Sequence, residues 1–476
     1  MNKAWMLLVF LTGLAACSAT KRQTPDQAVA GQKPNVIFIL ADDLGYAELG
    51  SYGNTFNETP HLDRLAAEGI RFTNAYAAAP VCSPYRAALL AGQYPARLGI
   101  TDYLRPDAAG HLDTAETTLA EMFQANGYTT GIVGKWHLSG YRHHHAPEET
   151  LPDQHGFEEV LVSENRGIAN GSYFHPYHFN REIDKKLPGE KEYLIDRQNA
   201  EAVAFIGRNR EKPFFLYLSH YGVHTQLHGK PELVNRFRNK EGAGTSPPAK
   251  NNPENDPYKK YPADFRAAKN NPHLAAQLFS IDEGVGMIVA RLKELGLDKN
   301  TIIIFTSDNG GESNVTSNAP LREGKSTLYE GGVREPLIIW NPARFAKGAL
   351  VHEPIVNFDF YPTLMEVVGA KPNTQKLDGI SFASVLKDPQ ARLPARTFYW
   401  HYPLAERHFL GGRSAGSIRK GDWKLIEFFD NNEIQLFNLK ADLSEKNDLS
   451  ASYPQKVKEL KQDLAAWRME VGAKMN

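Results

Sequence analysis

The sequence predicts an α/β protein: a large, mostly parallel sheet sandwiched by helices, followed by a smaller C-terminal unit of antiparallel strands and one helix. Three observations carry this expectation. Short apolar runs at 35–40, 130–133, 213–218, 301–305 and 336–340 read as strands buried on both faces. Helical patterns alternate with them, such as 117–125 and 278–295, the second stopped by Gly296. Beyond Pro394 the rhythm changes to short strand candidates at 397–401, 417–420, 423–428 and 433–438, separated by Gly, Asp and Asn, before an amphipathic stretch at 454–470. A chain of 476 residues accommodates one large domain, expected over 34–394, and a small subdomain over 395–476.

The N-terminus carries Lys3, an apolar run at 6–11 and then small residues, the three zones of a secretory signal. That run is too short to span a bilayer. It closes on Leu14-Ala15-Ala16-Cys17, which resembles a bacterial lipobox. The resemblance implies a leader over 1–16, an acylated Cys17 and a polar tether to residue 33. Ser18 after the cysteine favours an outer-membrane anchor facing the periplasm or the cell surface. The chain has two cysteines, so a lipidated Cys17 leaves Cys82 without an intramolecular partner, and an unpaired cysteine in an exported protein calls for a chemical explanation. The formal net charge of −1 gives no general basic surface for nucleic acid.

Polar residues recur where the expected strands end. Asp42-Asp43 follow the first, Lys135-Trp136-His137 the second, His220 and His224 the third, and Asp308-Asn309 the fourth. Open α/β sheets bind ligands at the carboxyl edge of their strands, where the following loops converge. Asp42, Asp43, Asp308 and Asn309 offer hard oxygen donors that suit Ca²⁺ or Mg²⁺. Without a cation, adjacent inward carboxylates repel. His220 reads as a supporting residue, Arg334 as a brace of the fold, His143-His144-His145 as a solvated or substrate-facing loop, and 236–269 as a surface insertion or loop.

Six segments in order carry a family resemblance. They are Asn-Val-Ile-Phe-Ile-Leu-Ala-Asp-Asp-Leu-Gly (35–45), Cys-Ser-Pro-Tyr-Arg (82–86), Gly-Lys-Trp-His-Leu (134–138), Val-His-Thr (223–225), Thr-Ser-Asp-Asn-Gly-Gly (306–311) and Gly-Lys-Ser-Thr-Leu-Tyr-Glu-Gly-Gly-Val-Arg-Glu-Pro (324–336). Together they resemble the type I, formylglycine-dependent sulfatases of the alkaline-phosphatase superfamily, both arylsulfatases and carbohydrate sulfatases. The resemblance implies that a maturation enzyme oxidises Cys82 to Cα-formylglycine (3-oxoalanine), whose hydrate attacks a sulfate ester. It implies that Asp42, Asp43, Asp308, Asn309 and the modified Cys82 hold Ca²⁺, with Mg²⁺ as the alternative. Arg86 matches the residue that steadies the hydrate, and Lys135, His224 and Lys325 match those that hold the sulfate. His224 is also the expected proton donor to the leaving alcohol, and His137 matches the base that later deprotonates the hydrate. Tyr85, Ala91, Gln93, Ser139 and Gln226 depart from the usual pattern.

The exported address and two loops rich in His, Arg, Asn and Tyr, 141–156 and 165–178, point to a sulfated glycan as substrate. The alternatives are a phosphodiester or phosphonate hydrolase of the same superfamily, and an inert glycan-binding lipoprotein.

Overall fold

The run Asn-Val-Ile-Phe-Ile-Leu-Ala has no polar face to offer water. In the computed structural model it forms a strand, β1 (Asn35–Ala41), with every residue buried. The structure describes residues 31–105, 108–140, 150–164, 172–179, 182–245 and 264–475. The leader, Cys17, the His143-His144-His145 run and much of the 141–156 and 165–178 loops lie outside them.

The further strands are β2 (Ile70–Tyr76), β3 (Thr129–Lys135), β4 (Glu159–Glu164), β5 (Phe214–Ser219), β6 (Thr301–Ser307), β7 (Arg334–Trp340), β8 (Ala349–Val351) and β9 (Ile355–Val356). Among the described residues they make one nine-stranded sheet ordered β4-β3-β5-β1-β6-β7-β2-β8, with β9 also on β2. The five strands from β4 to β6 are parallel; β7 runs antiparallel to both β6 and β2. Successive β1 side chains alternate between two cores. Val36, Phe38 and Leu40 meet the helices Cys82–Ala91, Leu119–Ala125 and Phe360–Val368. Ile37 and Ile39 meet Pro60–Glu68, Leu194–Arg208 and Pro272–Glu294 on the other side. The expected helix-covered sheet is therefore present.

Helix starts follow their caps. Thr118 and Glu121 form a capping box that opens Leu119–Ala125 one turn into an apolar stripe. The long helix begins at Pro272, earlier than the expected 278, because the Asn271 side chain accepts from the His273 and Leu274 N–H groups and proline fits the first turn. The expected loop at 236–269 needs correcting at its start: residues 236–238 close the helix Pro231–Arg238, which buries Val234 and Phe237 against Phe56 and Ala276.

The C-terminal unit is an antiparallel meander, β10 (Thr397–Tyr402), β11 (Ala415–Lys420), β12 (Trp423–Phe428) and β13 (Ile434–Asn438), with the helix Pro454–Val471 packed on it. Leu460, Leu464 and Trp467 of that helix meet Ile418, Leu425 and Leu436. The opposite face of the meander buries Trp400, Ile426 and Phe437 against Tyr76, Val81 and Val333 of the large unit. A buried ion cluster crosses this seam: Lys424 Nζ lies 2.9 Å from Glu330 Oε1 and 2.9 Å from Glu445 Oε1. Glu330 Oε2 accepts from Tyr76 at 2.7 Å. Among the described residues no helix is long and apolar enough to cross a membrane.

Removing one member of such a cluster strands the others as buried charges. Lys424→Met is expected to lower unfolding stability by about 3–5 kcal/mol, read by chemical denaturation; a loss under about 1 kcal/mol, the value of an exposed pair, would deny the seam this role.

Candidate active site

Strand register decides which residues meet. Gly134 pairs with Ser219, Ser219 with Leu40, and Leu40 with Thr306, so one row crosses β3, β5, β1 and β6. Lys135, Asp42 and Asp308 leave the sheet one or two residues beyond that row. The backbone holds β1's exit: Asp42 N–H donates to Gly222 O at 2.8 Å, and Val223 N–H returns to Asp42 O at 2.7 Å. Asp43 then turns left-handed at φ 62°, a region asparagine and aspartate tolerate better than most residues. Its N–H donates to Asp308 Oδ1 at 3.0 Å, which fixes the two carboxylates relative to one another.

Cys82 opens the helix Cys82–Ala91, all ten of whose residues are buried. A sulfur at a helix N-terminus sits in the positive end of the backbone dipoles. Its Sγ and carboxylate oxygens of Asp42 and Asp308 all lie within 4.8 Å of one another. Burial pushes the thiol's pKa up, more than Lys135 and Lys325 pull it down, so the unmodified group is a neutral thiol. One turn along, Arg86 is fully buried and spends its guanidinium on the framework. It donates to Asp308 Oδ2 at 2.8 Å, to Lys135 O at 3.0 Å and to Ser219 Oγ.

Each lysine is tied to a carboxylate. Lys135 Nζ donates to Asp42 Oδ2 and Lys325 Nζ to Asp43 Oδ2, both at 2.6 Å. Burial opposes charge on Asp43, yet Lys325 and His224 hold its pKa below the ordinary carboxylate value. Burial and then Asp42 raise that of Asp308, with Arg86 opposing. Asn309 Nδ2 donates to Asp43 Oδ1 at 2.8 Å.

Two oxygens at this edge are left over. Asp42 Oδ1, 3.8 Å from Arg86, and Asn309 Oδ1 are buried and take no hydrogen bond among the described residues. Orphaned buried acceptors beside two mutually repelling carboxylates, Asp42 and Asp308, are what a hard divalent cation would satisfy. The donor set therefore fits a hard divalent cation such as Ca²⁺ or Mg²⁺, which Asp42, Asp43, Asp308 and Asn309 could hold.

Two imidazoles complete the edge. His137, left-handed at φ 56°, directs Nε2 to Leu104 O at 3.0 Å. A carbonyl can only accept, so Nε2 carries the proton and Nδ1, buried and unpartnered, keeps its lone pair. Burial, then Lys135 and Arg86, hold its pKa well below the usual imidazole value. His224 donates from Nδ1 to Thr225 O and sets Nε2 3.7 Å from Asp43 Oδ2; burial and Lys325 lower its pKa to about 3.

All ten residues expected between Asp42 and Lys325 thus converge on one edge. Among the described residues the His220 ring makes no hydrogen bond to them: the backbone N–H of His220 donates to Leu40 O at 2.9 Å, and burial lowers the imidazole pKa to about 3. Arg334 braces β2 by donating from Nε to Thr73 O at 2.7 Å. Tyr85, which departs from the motif, turns its ring into the core beneath the Cys82 helix. Sequence reasoning missed Ser219, which holds Arg86, the Leu104 carbonyl, which fixes the His137 tautomer, and Glu312, which accepts from Thr225 at 2.7 Å. Ser219 ends an apolar strand and could have been found by position; a backbone carbonyl leaves no trace in side-chain pattern.

A family model described as "Sulfatase" matches residues 34–370, and one described as "N-sulphoglucosamine sulphohydrolase, C-terminal" matches 324–470. The chain is 33% identical to arylsulfatase A of Bos taurus, over 91% of this chain and 80% of that protein. It is 33% identical to N-acetylgalactosamine-6-sulfatase of Rattus norvegicus, over 74% of this chain and 66% of that protein. The crystal structure of Ps i-CgsB in complex with k-i-k-neocarrahexaose superposes with a TM-score of 0.74 at 31% identity, covering 92% of this chain and 93% of that one.

The leftover oxygens generate a test by stability alone. Added Ca²⁺ is expected to raise the thermal midpoint, since a cation at a hundredfold excess over its Kd stabilises the folded state by about 2.7 kcal/mol. Asp42→Asn and Asp308→Asn should each abolish most of the increment in differential scanning calorimetry. An unchanged wild-type midpoint would remove the cation from the account.

Proposed function

The chain belongs to the sulfatase family of sulfuric ester hydrolases, and from that premise we propose that it removes sulfate from a sulfated carbohydrate, using a nucleophile derived from Cys82. The observation that carries the proposal is the placement of Cys82 at a buried helix start, with its sulfur within 4.8 Å of Asp42 and Asp308 oxygens and with Lys135 and Lys325 acting on it electrostatically.

When present, the divalent cation supplies neutralisation of sulfate charge, and the formylglycine made from Cys82 supplies the attacking hydroxyl. The remaining work falls to side chains. Lys135 and Lys325, preset on Asp42 and Asp43, meet an incoming sulfate with little reorganisation. Arg86, immobilised by Asp308, Ser219 and the Lys135 carbonyl, keeps the helix start aligned with the acidic pair. His137 stands as a neutral ring with its Nδ1 lone pair free, the form a general base requires. In the free site His224 is neutral; a sulfate anion docked against it opposes the effect of Lys325 and raises its proton affinity, which suits it to protonate the departing alcohol.

Two relatives support a carbohydrate substrate: the 31%-identical protein whose structure holds k-i-k-neocarrahexaose, and the rat protein named for N-acetylgalactosamine 6-sulfate. The proposal extends to the address. Leu14-Ala15-Ala16-Cys17 supports a lipoprotein facing the periplasm or the cell surface, matured by a formylglycine-generating enzyme.

Protein produced with such an enzyme is expected to release sulfate from sulfated galactans or glycosaminoglycan fragments, and Cys82→Ala to release none above background. Lys325→Ala should lose about 10²–10³-fold in kcat/KM, the scale of one electrostatic stabiliser. Faster cleavage of an aryl phosphodiester or phosphonate than of the matched aryl sulfate would overturn the assignment. For the anchor, Cys17→Ser should move the protein from the membrane to the soluble fraction; an unchanged membrane fraction would refute lipidation.

A further inference from the structure

The loop between β10 and β11 leaves the C-terminal sheet and closes over the active-site edge. On one side it presses on the segment that carries Lys325: a Cβ on Gly412 would lie 2.0 Å from the carbonyl oxygen of Ser326, so only glycine fits this approach. On the other side the His408 ring packs edge-on against Tyr103, with centroids 5.6 Å apart. Tyr103 precedes Leu104, whose carbonyl accepts from His137 and whose N–H donates at 3.0 Å to Ser83 Oγ, next to Cys82. The loop therefore bridges two walls of the same site.

His408 is held in one tautomer. Its N–H donates to Gly412 O at 2.9 Å and its carbonyl accepts from Gly411 at 2.8 Å. Leu410 N–H donates to Nδ1 at 3.1 Å, so the neutral ring carries its proton on Nε2. The residue is 6% exposed, and Nε2 has no hydrogen-bond partner among the described residues. Burial, Lys325 and Arg105 lower its pKa to about 4, with Asp43 opposing, so it stands neutral beside the charged edge. A buried N–H without an acceptor costs about 1–3 kcal/mol, and such a group in a site calls for a ligand oxygen. Phe409, 78% exposed, stacks on the His408 ring at 4.4 Å and is the most exposed aromatic side chain on this loop.

We propose that this loop forms the saccharide side of the site: His408 donates from Nε2 to an oxygen of the sulfated sugar, and Phe409 offers its face to the apolar side of the pyranose ring. The inference rests on the reading of the substrate as a carbohydrate. Lys135, Lys325 and His224 serve the sulfate; a neutral donor adds nothing to charge neutralisation and is suited to a hydroxyl, ring or linkage oxygen. An exposed aromatic with one apolar face and a polar neighbour is a common means of holding a ligand that is itself half apolar.

The test uses the matured full chain with two kinds of substrate, para-nitrophenyl sulfate and a panel of O-sulfated galactose, N-acetylgalactosamine and N-acetylglucosamine with sulfated galactan oligosaccharides. His408→Ala and Phe409→Ala are each expected to lose kcat/KM on the saccharides by at least about tenfold more than on the aryl sulfate, the scale of one lost hydrogen bond, and chiefly through KM. His408→Gln, which keeps a donor, should recover part of that loss. Phe409 is exposed, so its truncation keeps the test decisive if His408→Ala fails to fold. Equal losses on both substrates, or none on the saccharides, would overturn the subsite while leaving the carbohydrate reading intact. A wild-type enzyme that turns over the aryl sulfate and no saccharide would refute that reading, and the subsite with it.

Discussion

Charge held out of water at one sheet edge is the constraint on which this molecule depends. Asp42, Asp43 and Asp308 are buried there together with Arg86, Lys135 and Lys325. Each ion in such a set is tolerable only because its neighbours are in place, since an unpaired buried charge costs several kcal/mol. Pairing here is ordered along the edge: Lys135 on Asp42, Lys325 on Asp43 and Arg86 on Asp308. The order is imposed by register, because β3, β1 and β6 deliver their ends level with one another and β5 supplies Ser219 and the His224 turn between them. The same pairing holds Lys135, Lys325 and Arg86 in fixed orientations, the preorganisation that an electrostatic site for an anion requires.

The C-terminal unit belongs to that arrangement. Lys325 and Glu330 lie on one short stretch of chain, the first on Asp43 and the second in the ion cluster with Lys424 and Glu445. Tyr329 between them donates to Gln435 of β13 at 2.7 Å. The small sheet thus anchors the segment that presents Lys325 to Asp43, and its β10–β11 loop returns to the same segment at Gly412. A boundary drawn by strand pattern near residue 394 separates two sheets, yet the stretch from Lys325 to Glu330 is tied to both.

Legibility in the sequence followed physical causes. β1 and β6 are uninterrupted apolar runs, and such runs betray strands buried on both faces. Their polar successors, Asp42-Asp43 and Asp308-Asn309, then mark the edge where ligands gather. β2 escaped notice because Arg71, Thr73 and Asn74 break its apolar pattern near the side of the sheet, where β7, β8 and β9 pair with it. The antiparallel direction of β7 could not be read, since an apolar run carries no sign of direction. The start of the long helix is marked by Asn271-Pro272, a cap signal that apolar periodicity does not contain. Most catalytic candidates were legible because they follow a strand end or open a helix; Lys325, in the loop before Glu330–Val333, was legible through its motif alone. His408 was not, because its loop comes from the other sheet and its place is set by a close backbone approach at Gly412.

The central claim is that Cys82 is the precursor of the nucleophile, and the most direct measurement is the mass of its tryptic peptide from protein made with a formylglycine-generating enzyme and proven to release sulfate. The account predicts the aldehyde mass, or that of its hydrate, in place of the thiol. A peptide that retains the unmodified thiol in sulfate-releasing enzyme would contradict it, because burial keeps that thiol neutral and a neutral thiol is a poor nucleophile.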